Sequence, residues 1–192
     1  MKKLLSILLA TLLIISLAAC SSNKNDTPNE TGDGAVKSSL ELLTTVWGSY
    51  AEEDKFPAAG GDATEENMTM GDPGKFNIDD GAVMDTTLGF PAAFVDKIDD
   101  AASLVHMMNA NTFTCGVFHV VNADDLSDVC AALEDNILQR QWICGFPDKL
   151  VVVKVGDYIV SFFGENEIVD TFKANLTAAF SSAETVCDEP IA

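Results

Sequence analysis

The chain has 192 residues, and its 30 aspartates and glutamates against 11 lysines and arginines give a formal net charge of −19 at pH 7. Such an acidic protein is repelled by nucleic acids and by anionic lipid surfaces, which argues against DNA or RNA binding and against a domain lying flat on a bilayer. The length suits one domain of ordinary size together with targeting and linker segments.

The first twenty residues have the layout of a bacterial lipoprotein signal. Two lysines come early, and an almost unbroken apolar run from Leu4 to Leu17 follows, which is short for a membrane-spanning helix. The run ends in four residues that look like a lipobox, namely Leu17, Ala18, Ala19 and Cys20. In a lipobox the cysteine thiol receives a diacylglycerol before cleavage, so we predict a signal peptide over residues 1–19 and a lipid on Cys20. The alternatives are an ordinary cleavable signal and a single signal-anchor helix.

A lipid on Cys20 would hold the mature protein on the extracytoplasmic face of the cell membrane. Acyl chains bury many methylene groups, each worth about 0.8 kcal/mol, so a diacylglycerol is a firm anchor. Residues 20–37 are polar and rich in turn formers, and we predict that they form a flexible tether between the anchor and the domain.

The segment after the tether predicts one helix and then a long irregular stretch. Ser38 and Glu41 have the spacing of a capping box, and the apolar residues that follow favour an amphipathic helix over 39–53. Residues 56–90 contain many turn formers, and such a stretch is usually a functional loop or a missed element. It is therefore the first candidate for a binding surface, with a passive wrapping loop as the alternative. Pro91 then opens a short helix.

The second half of the chain predicts two successive strand–strand–helix units. The first unit comprises strands at 103–109 and 113–121 and a helix at 125–140; the second comprises strands at 150–155 and 158–163 and a helix at 165–180. A two-residue turn at Gly156 and Asp157 would pair Val151 with Phe162 and place the apolar residues of that hairpin on one face. The two helices are the candidates to cover that face.

These elements predict a single α+β domain over residues 38–180, followed by a C-terminal tail over 181–192. The N-terminal helix precedes two ββα units, which form a four-stranded antiparallel sheet with the helices packed mainly on one face.

Cysteine and histidine side chains are the candidates for chemistry. Cysteines occur at positions 20, 115, 130, 144 and 187, and the histidines are His106 and His119. With Cys20 acylated, four cysteines could pair in three ways, although the apolar patterns around Cys115 and Cys130 favour buried free thiols. The absence of a C-x-x-C motif argues against a thioredoxin-type site and a zinc ribbon.

A two-residue turn at 110–111 would place His106 across from Cys115, with His119 further along the same face. A neighbouring histidine can activate a thiolate nucleophile, and two histidines with a thiol could bind a metal. Cys144 lies in a turn with Trp142 and Phe146, which are expected to anchor that turn to the core. A thiol-dependent or metal-dependent envelope enzyme using these cysteines and histidines is therefore the alternative to a protein without catalytic activity.

The strings DDAASLVHMMNANTFT (99–114), RQWICGFPDKL (140–150) and GDYIVSFFGENEIVDTFK (156–173) resemble an uncharacterised group of small lipoproteins from Gram-positive anaerobes. Members pair a lipobox with a C-terminal ββα-type domain, and some carry the automatic label "bacteriocin transport accessory". That label belongs to thioredoxin-like proteins, whose C-x-x-C motif this chain lacks. The resemblance covers roughly residues 40–180 and implies a surface location and an unassigned role, and it transfers only Cys20 as a functional residue.

The sequence therefore predicts a lipid-anchored, non-enzymatic protein of the cell envelope. Its acidic α+β domain is expected to bind a protein, a peptide or a small ligand, without a cofactor, a metal ion or nucleic acid.

Overall fold

The computed structural model describes residues 36–62, 64–143 and 145–191. The predicted signal peptide, the lipobox with Cys20 and nearly all of the predicted tether lie outside the described residues, as does Cys144. In the part of the chain that the structure describes, no helix has both the length and the apolar character needed to cross a membrane.

One antiparallel sheet of eight strands forms the centre of the described domain. The strands are β1 (Ala58–Gly60), β2 (Thr69–Met70), β3 (Gly74–Lys75), β4 (Ile98–His106), β5 (Phe113–Val120), β6 (Lys149–Val155), β7 (Tyr158–Gly164) and β8 (Glu184–Pro190). Their order across the sheet is β2-β1-β4-β5-β7-β6-β8, and β3 pairs with β4. The α-helices are α1 (Ser39–Gly48), α2 (Gly81–Leu88), α3 (Leu126–Leu138) and α4 (Asn166–Ala179). Short 3-10 helices lie at Glu52–Asp54, Ala92–Lys97 and Ala123–Asp125.

Helices cover both faces of the sheet. On one face α1 and α4 contribute Val46, Trp47 and Phe172 to a core that also contains Val151 and Val153 of β6. On the opposite face α2 and α3 contribute their apolar residues to a second core, which contains the alternate β6 residues. Because successive strand side chains point to opposite faces, a strand buried on both sides reads as a continuous apolar run. The fold is therefore a three-layer arrangement with two cores.

The predicted four-stranded sheet with helices mainly on one face is wrong. The sheet has eight strands in the described residues, and the helix predicted at 125–140 packs on the opposite face from the helix predicted at 165–180. Strands β1, β2 and β3 come from the segment 56–90, which also contains the unpredicted helix α2. Strand β8 comes from the residues that were predicted to be a tail. These strands escaped detection because three are two or three residues long, and β8 buries only Cys187.

The register of the β6–β7 hairpin confirms the prediction for that turn. Val151 pairs with Phe162, Val153 with Val160 and Val155 with Tyr158. Gly156 has a φ of +60°, a conformation that suits glycine in a two-residue hairpin turn. The helix that covers these residues together with α4 is α1, not α3.

The capping residue Ser38 also acts as predicted, since its hydroxyl oxygen accepts a hydrogen bond from the Glu41 amide at 3.1 Å. Helix α1 nevertheless ends at Gly48, earlier than the predicted 53. The Glu41 carboxylate accepts from the Lys37 amide at 3.1 Å, so the reciprocal half of the capping box is displaced by one residue.

The central strands have two different ends, the entry end and the tip. At the entry end the chain joins the domain: the Ser39 amide donates to the Asp100 carboxylate at 2.7 Å, and the Tyr158 hydroxyl lies 3.4 Å from the Val36 carbonyl oxygen. At the opposite end, the tip, residues 107–112 connect β4 to β5. Residues 141–143 and 145–147 lie beside this connection, because the Asn111 side chain bonds to main-chain carbonyls of that segment.

Candidate functional site

The predicted pairing of His106 with Cys115 is wrong, because β4 and β5 are displaced by two residues from the predicted register. Leu104 lies across from Cys115 on one side, and Phe162 lies across from it on the other. The connection between the strands is longer than the predicted two residues, and Asn109 shapes it by accepting hydrogen bonds from the Asn111 and Thr112 amides. Since a shift of two residues preserves the face, Cys115 still points to the same face as the histidines.

The surroundings of Cys115 do not favour a nucleophile. Its side chain is fully buried in the core beneath α1 and α4, and this burial raises the pKa of the thiol well above its ordinary value. A thiolate is the reactive form of cysteine, and an apolar core disfavours that form.

Each of the two histidines has partners of its own. The His106 ring stacks on Phe56 with centroids 5.6 Å apart, and its Nδ1 atom accepts a hydrogen bond from the Met108 amide at 3.3 Å. The Nδ1 atom of His119 lies 2.5 Å from a carboxylate oxygen of Asp99, at the entry end. Each imidazole is therefore engaged with residues other than Cys115, the thiol across from which His106 was predicted to lie.

The remaining described cysteines, Cys130 and Cys187, lie in the second core. Burial raises the pKa of Cys130 to about 11 and that of Cys187 to about 12, so both side chains are protonated at neutral pH. Both are free thiols, as is Cys115. Among the described residues, no group of three or more histidine, cysteine, aspartate or glutamate side chains is placed to bind a metal ion.

A polar cleft of about 290 Å³ lies at the entry end, where the segment 56–90 meets β4. It is lined by Glu66, Asn67, Lys75, Phe76, Asn77, Ile78, Asp99, Asp100 and Ala101. One wall is fixed by the buried carboxylate of Asp62, which accepts hydrogen bonds from Thr64, from the Asn67 side chain and from the Asn77 amide. Asp62 therefore has a structural role, because it satisfies the polar groups of this irregular segment.

Polar side chains in a groove of about 490 Å³ between α2 and α3 also have a structural role. Its basic residue, Arg140, donates hydrogen bonds to the carbonyl oxygens of Asp85 and Thr86, in the last turn of α2. Asn136 donates to the carbonyl of Gly89 at 2.9 Å. The side chains of Arg140 and Asn136 thus bond carbonyl oxygens at the C-terminus of α2, so these two polar groups of the groove are engaged within the fold.

The tip carries the strongest candidate site, because four large apolar side chains are exposed there. The exposed fractions are 47% for Met107, 77% for Met108, 79% for Ile143 and 69% for Phe146. Clustered apolar exposure of this kind marks interaction sites in soluble domains. Methionine is flexible and polarizable, which suits a surface that must fit partners of varied shape. We call these four residues the apolar tip patch.

Hydrogen bonds hold the two segments of the apolar tip patch together. The Asn111 side-chain nitrogen donates to the carbonyl oxygens of Ile143 at 3.2 Å and Gly145 at 2.9 Å. The Met107 amide donates to the Pro57 carbonyl at 2.8 Å, which attaches the first segment to the chain entering β1. The exposed side chains are therefore presented by main chain that is bonded to the rest of the fold.

Trp142 and Phe146 were both expected to anchor the second segment to the core, and only the first does so. The Trp142 ring packs on Phe163 with centroids 5.1 Å apart, and the Arg140 guanidinium lies 5.5 Å from the centre of the same ring. Phe146, four residues further on, faces outward.

Three exposed acidic residues lie in chain segments that contact or adjoin the apolar tip patch. Glu165 is exposed, and its amide donates to the Thr112 carbonyl; Asp148 is exposed beside Pro147. Asp54 is exposed two residues before Phe56, whose ring stacks on His106. Among the described residues, the carboxylates of Asp54, Asp148 and Glu165 form no ion pair with a lysine or arginine.

Sequence reasoning placed the candidate binding surface in the segment 56–90 and missed the apolar tip patch. Within 56–90 the structure exposes Met68 and Met70, and the segment also contains three short strands and helix α2. The signal for the patch was available in the strings MMNANT and ICGFP, in which apolar residues stand among turn formers. Turn formers place a segment at the surface, so apolar residues within it are candidates for exposure.

Comparison of the chain with protein-family models, with curated proteins and with solved structures found no match in any of the three. The resemblance to small lipoproteins and the lipid on Cys20 therefore stay predictions. The candidate site depends on the geometry of the tip alone.

Proposed function

We propose that the protein is a lipid-anchored binding protein of the cell envelope, whose domain holds a protein or peptide partner at the apolar tip patch. The observation that carries the proposal is the exposure of Met107, Met108, Ile143 and Phe146 on two segments that are bonded to each other. Aromatic residues and methionine are enriched in protein interfaces, and a few such side chains usually supply most of the binding energy.

The position of the patch suits a protein tethered through its N-terminus. The chain joins the domain at the entry end, near Asp100 and Tyr158, whereas the patch lies at the opposite end of the strands. Strand β4 has nine residues, and at about 3.3 Å per residue it separates the two ends by roughly 30 Å. A diacylglycerol on Cys20 and a polar tether would then leave the tip accessible to a partner.

We do not extend the proposal to the thiol-dependent or metal-dependent enzyme. Cys115 is enclosed by apolar side chains, and its strand neighbours are Leu104 and Phe162. His106 and His119 contact other groups, and catalysis by such a thiol needs the imidazole within hydrogen-bond reach.

Site-specific photo-crosslinking in cells that express the full chain tests the binding function. A photoreactive residue replaces Met108 or Phe146, and matched controls carry it at Val83 on α2 or Val186 on β8, which are also exposed apolar positions. We expect one discrete adduct from the tip positions, its loss when Met107→Ser is added, and no such adduct from the controls. Equal adducts from all four positions, or none from the tip, would contradict the proposed site.

Metabolic labelling with a fatty acid analogue tests the anchor separately. The full chain should incorporate the label and fractionate with membranes, whereas Cys20→Ser should lose the label. The control Cys144→Ser should keep both properties, because only Cys20 occupies the lipobox. An unlabelled wild-type chain with an unmodified amino terminus would remove the anchor from the proposal.

A further inference from the structure

We infer that the partner at the apolar tip patch is a cationic amphipathic segment, in which lysine or arginine side chains flank an apolar face. This inference rests on the proposed function, because it assigns the chemistry of the partner at the same surface. It depends on two properties of the tip, the flexible apolar side chains and the nearby carboxylates that form no ion pair with a lysine or arginine among the described residues.

The apolar anchors fit the apolar face of an amphipathic segment. Amphipathic helices bind to apolar surfaces through side chains spaced three or four residues apart. Met107 and Met108 can adopt several rotamers and so adjust to such a face, while Phe146 supplies one rigid aromatic contact. Ile143 and Phe146 flank Gly145, whose φ of +118° turns the chain between them.

The charges around the patch select a positive partner. Asp54, Asp148 and Glu165 are exposed near the patch, and none of them has a lysine or arginine partner among the described residues. Both lysines in the neighbouring chain segments are already engaged. Lys55 pairs with Glu52 at 2.7 Å, and Lys149 pairs with Asp170 at 2.7 Å and with Asp188 at 2.9 Å.

The same charges disfavour two other occupants. A second copy of the chain would bring the same exposed carboxylates and the same strong negative charge against the first. An anionic lipid surface would be repelled for the same reason. A cationic segment is attracted by the local carboxylates and by the field of the whole domain, which also accelerates its encounter with the tip.

Three synthetic peptides of 18 residues provide the probes. The first is an amphipathic helix of leucine and lysine, the second has the same apolar face with glutamate in place of lysine, and the third is a scrambled version of the first. Binding to the full lipidated chain in phosphatidylcholine nanodiscs is measured by fluorescence anisotropy, with empty nanodiscs as the blank. We expect the first peptide to bind roughly tenfold or more tightly than the other two, and to weaken as salt rises.

Two pairs of substitutions, each of which removes two negative charges, separate the effect of the carboxylates near the patch from the effect of the net charge. Asp54→Asn with Glu165→Gln alters the tip, whereas Asp96→Asn with Asp157→Asn removes two exposed carboxylates near the entry end. We expect the tip pair to lower the affinity for the first peptide roughly fivefold and to reduce its salt dependence, and the control pair to change the affinity less than twofold. Phe146→Ser with Met108→Ser should lower the affinity roughly tenfold and leave the salt dependence intact.

The outcomes distinguish the inference from the proposed function. Equal binding of the acidic amphipathic peptide, lost on Phe146→Ser, would overturn the charge preference and leave the tip as a binding surface. Two results would overturn both the inference and the proposed function. One is peptide binding that no tip substitution changes. The other is no binding of any peptide, together with no adduct from the tip positions in cells.

Discussion

The side-chain nitrogen of Asn111 donates a hydrogen bond to the carbonyl oxygen of Gly145 at 2.9 Å, across a sequence separation of 34 residues. The same nitrogen lies 3.2 Å from the Ile143 carbonyl oxygen, so one amide fixes the second segment of the tip. We predict that Asn111→Ala loosens this segment, because both contacts are lost. The bonds are exposed, so the free energy of unfolding should fall by only about 1 kcal/mol.

Hydrogen exchange measures the loosening directly. The amides of residues 143 and 145–146 should exchange faster in Asn111→Ala than in the wild type. The control Asn77→Ala also removes a local hydrogen bond, to the Asp79 amide, and should leave the tip unchanged. Unaltered exchange at the tip in Asn111→Ala would show that other contacts hold the segment.

We predict that the protein loses stability in acid because of Asp62, whose carboxylate has a lowered pKa. Burial acts to raise its pKa, but hydrogen bonds from Thr64, from the Asn67 side chain and from the Asn77 amide outweigh burial and lower it from 3.8 to about 2. The folded state therefore holds this proton less tightly than the unfolded state. The ionised carboxylate therefore adds about 2 kcal/mol to the free energy of unfolding. This contribution is present above pH 4 and is lost as the pH falls towards 2.

Chemical unfolding of the wild type and of Asp62→Asn between pH 6 and pH 2 tests this prediction. The variant should be less stable at pH 6, because its amide nitrogen cannot accept the hydrogen bonds that the carboxylate accepts. Its stability should also depend less on pH between 4 and 2. The control Asp96→Asn, at an exposed position, should show the same pH dependence of stability as the wild type. An equal pH dependence in the wild type and Asp62→Asn would show that Asp62 is not responsible for the acid-dependent loss.

Gly60 and Gly48 should respond in opposite ways to alanine. A Cβ at Gly60 would lie 2.1 Å from the Gly74 nitrogen and 2.5 Å from the Asp72 carbonyl oxygen, both of them main-chain atoms. Gly60→Ala should therefore lower the free energy of unfolding by about 3 kcal/mol, because β1 and β3 must move apart. Gly48 ends α1 and has open space around it, so Gly48→Ala should be neutral or stabilising by up to about 1 kcal/mol. Urea denaturation of both variants measures the difference, and equal effects would disprove the close approach of β1 and β3.

The buried thiols should resist alkylation in the folded protein. Cys115, Cys130 and Cys187 are buried, and burial raises the pKa of each. Iodoacetamide at pH 8 should therefore modify them only after denaturation, as mass spectrometry of the digested protein would report. Rapid modification of Cys115 in the native protein would reopen the thiol-dependent enzyme as a function.

The strand pairings show which kind of local information determines a register. The β6–β7 hairpin was predictable because Gly156 and Asp157 form a two-residue turn between apolar runs. The β4–β5 register was not, because the connection is longer and its shape depends on hydrogen bonds made by Asn109 and Asn111. An apolar pattern identifies which strand residues share a face. It does not determine the length of a polar loop, on which the register of the two strands depends.

The missed elements have physical causes of their own. Strands β1 and β3 are too short to show alternation, and the buried Asp62 carboxylate that orders their neighbourhood acts between residues far apart in sequence. Strand β8 shows six exposed residues out of seven, so its pattern resembled a polar tail. The apolar tip patch was missed because periodicity rules assume that large apolar side chains are buried.

The position of β8 has a consequence for how the chain matures. Residues 184–190 pair with β6 and carry Cys187 into the second core, so a strand that follows α4 in the chain completes this side of the sheet. A polypeptide that emerges with its N-terminus first cannot complete this pairing until β8 has been synthesised. Until then β6 presents an unpaired edge, which is a hazard for aggregation.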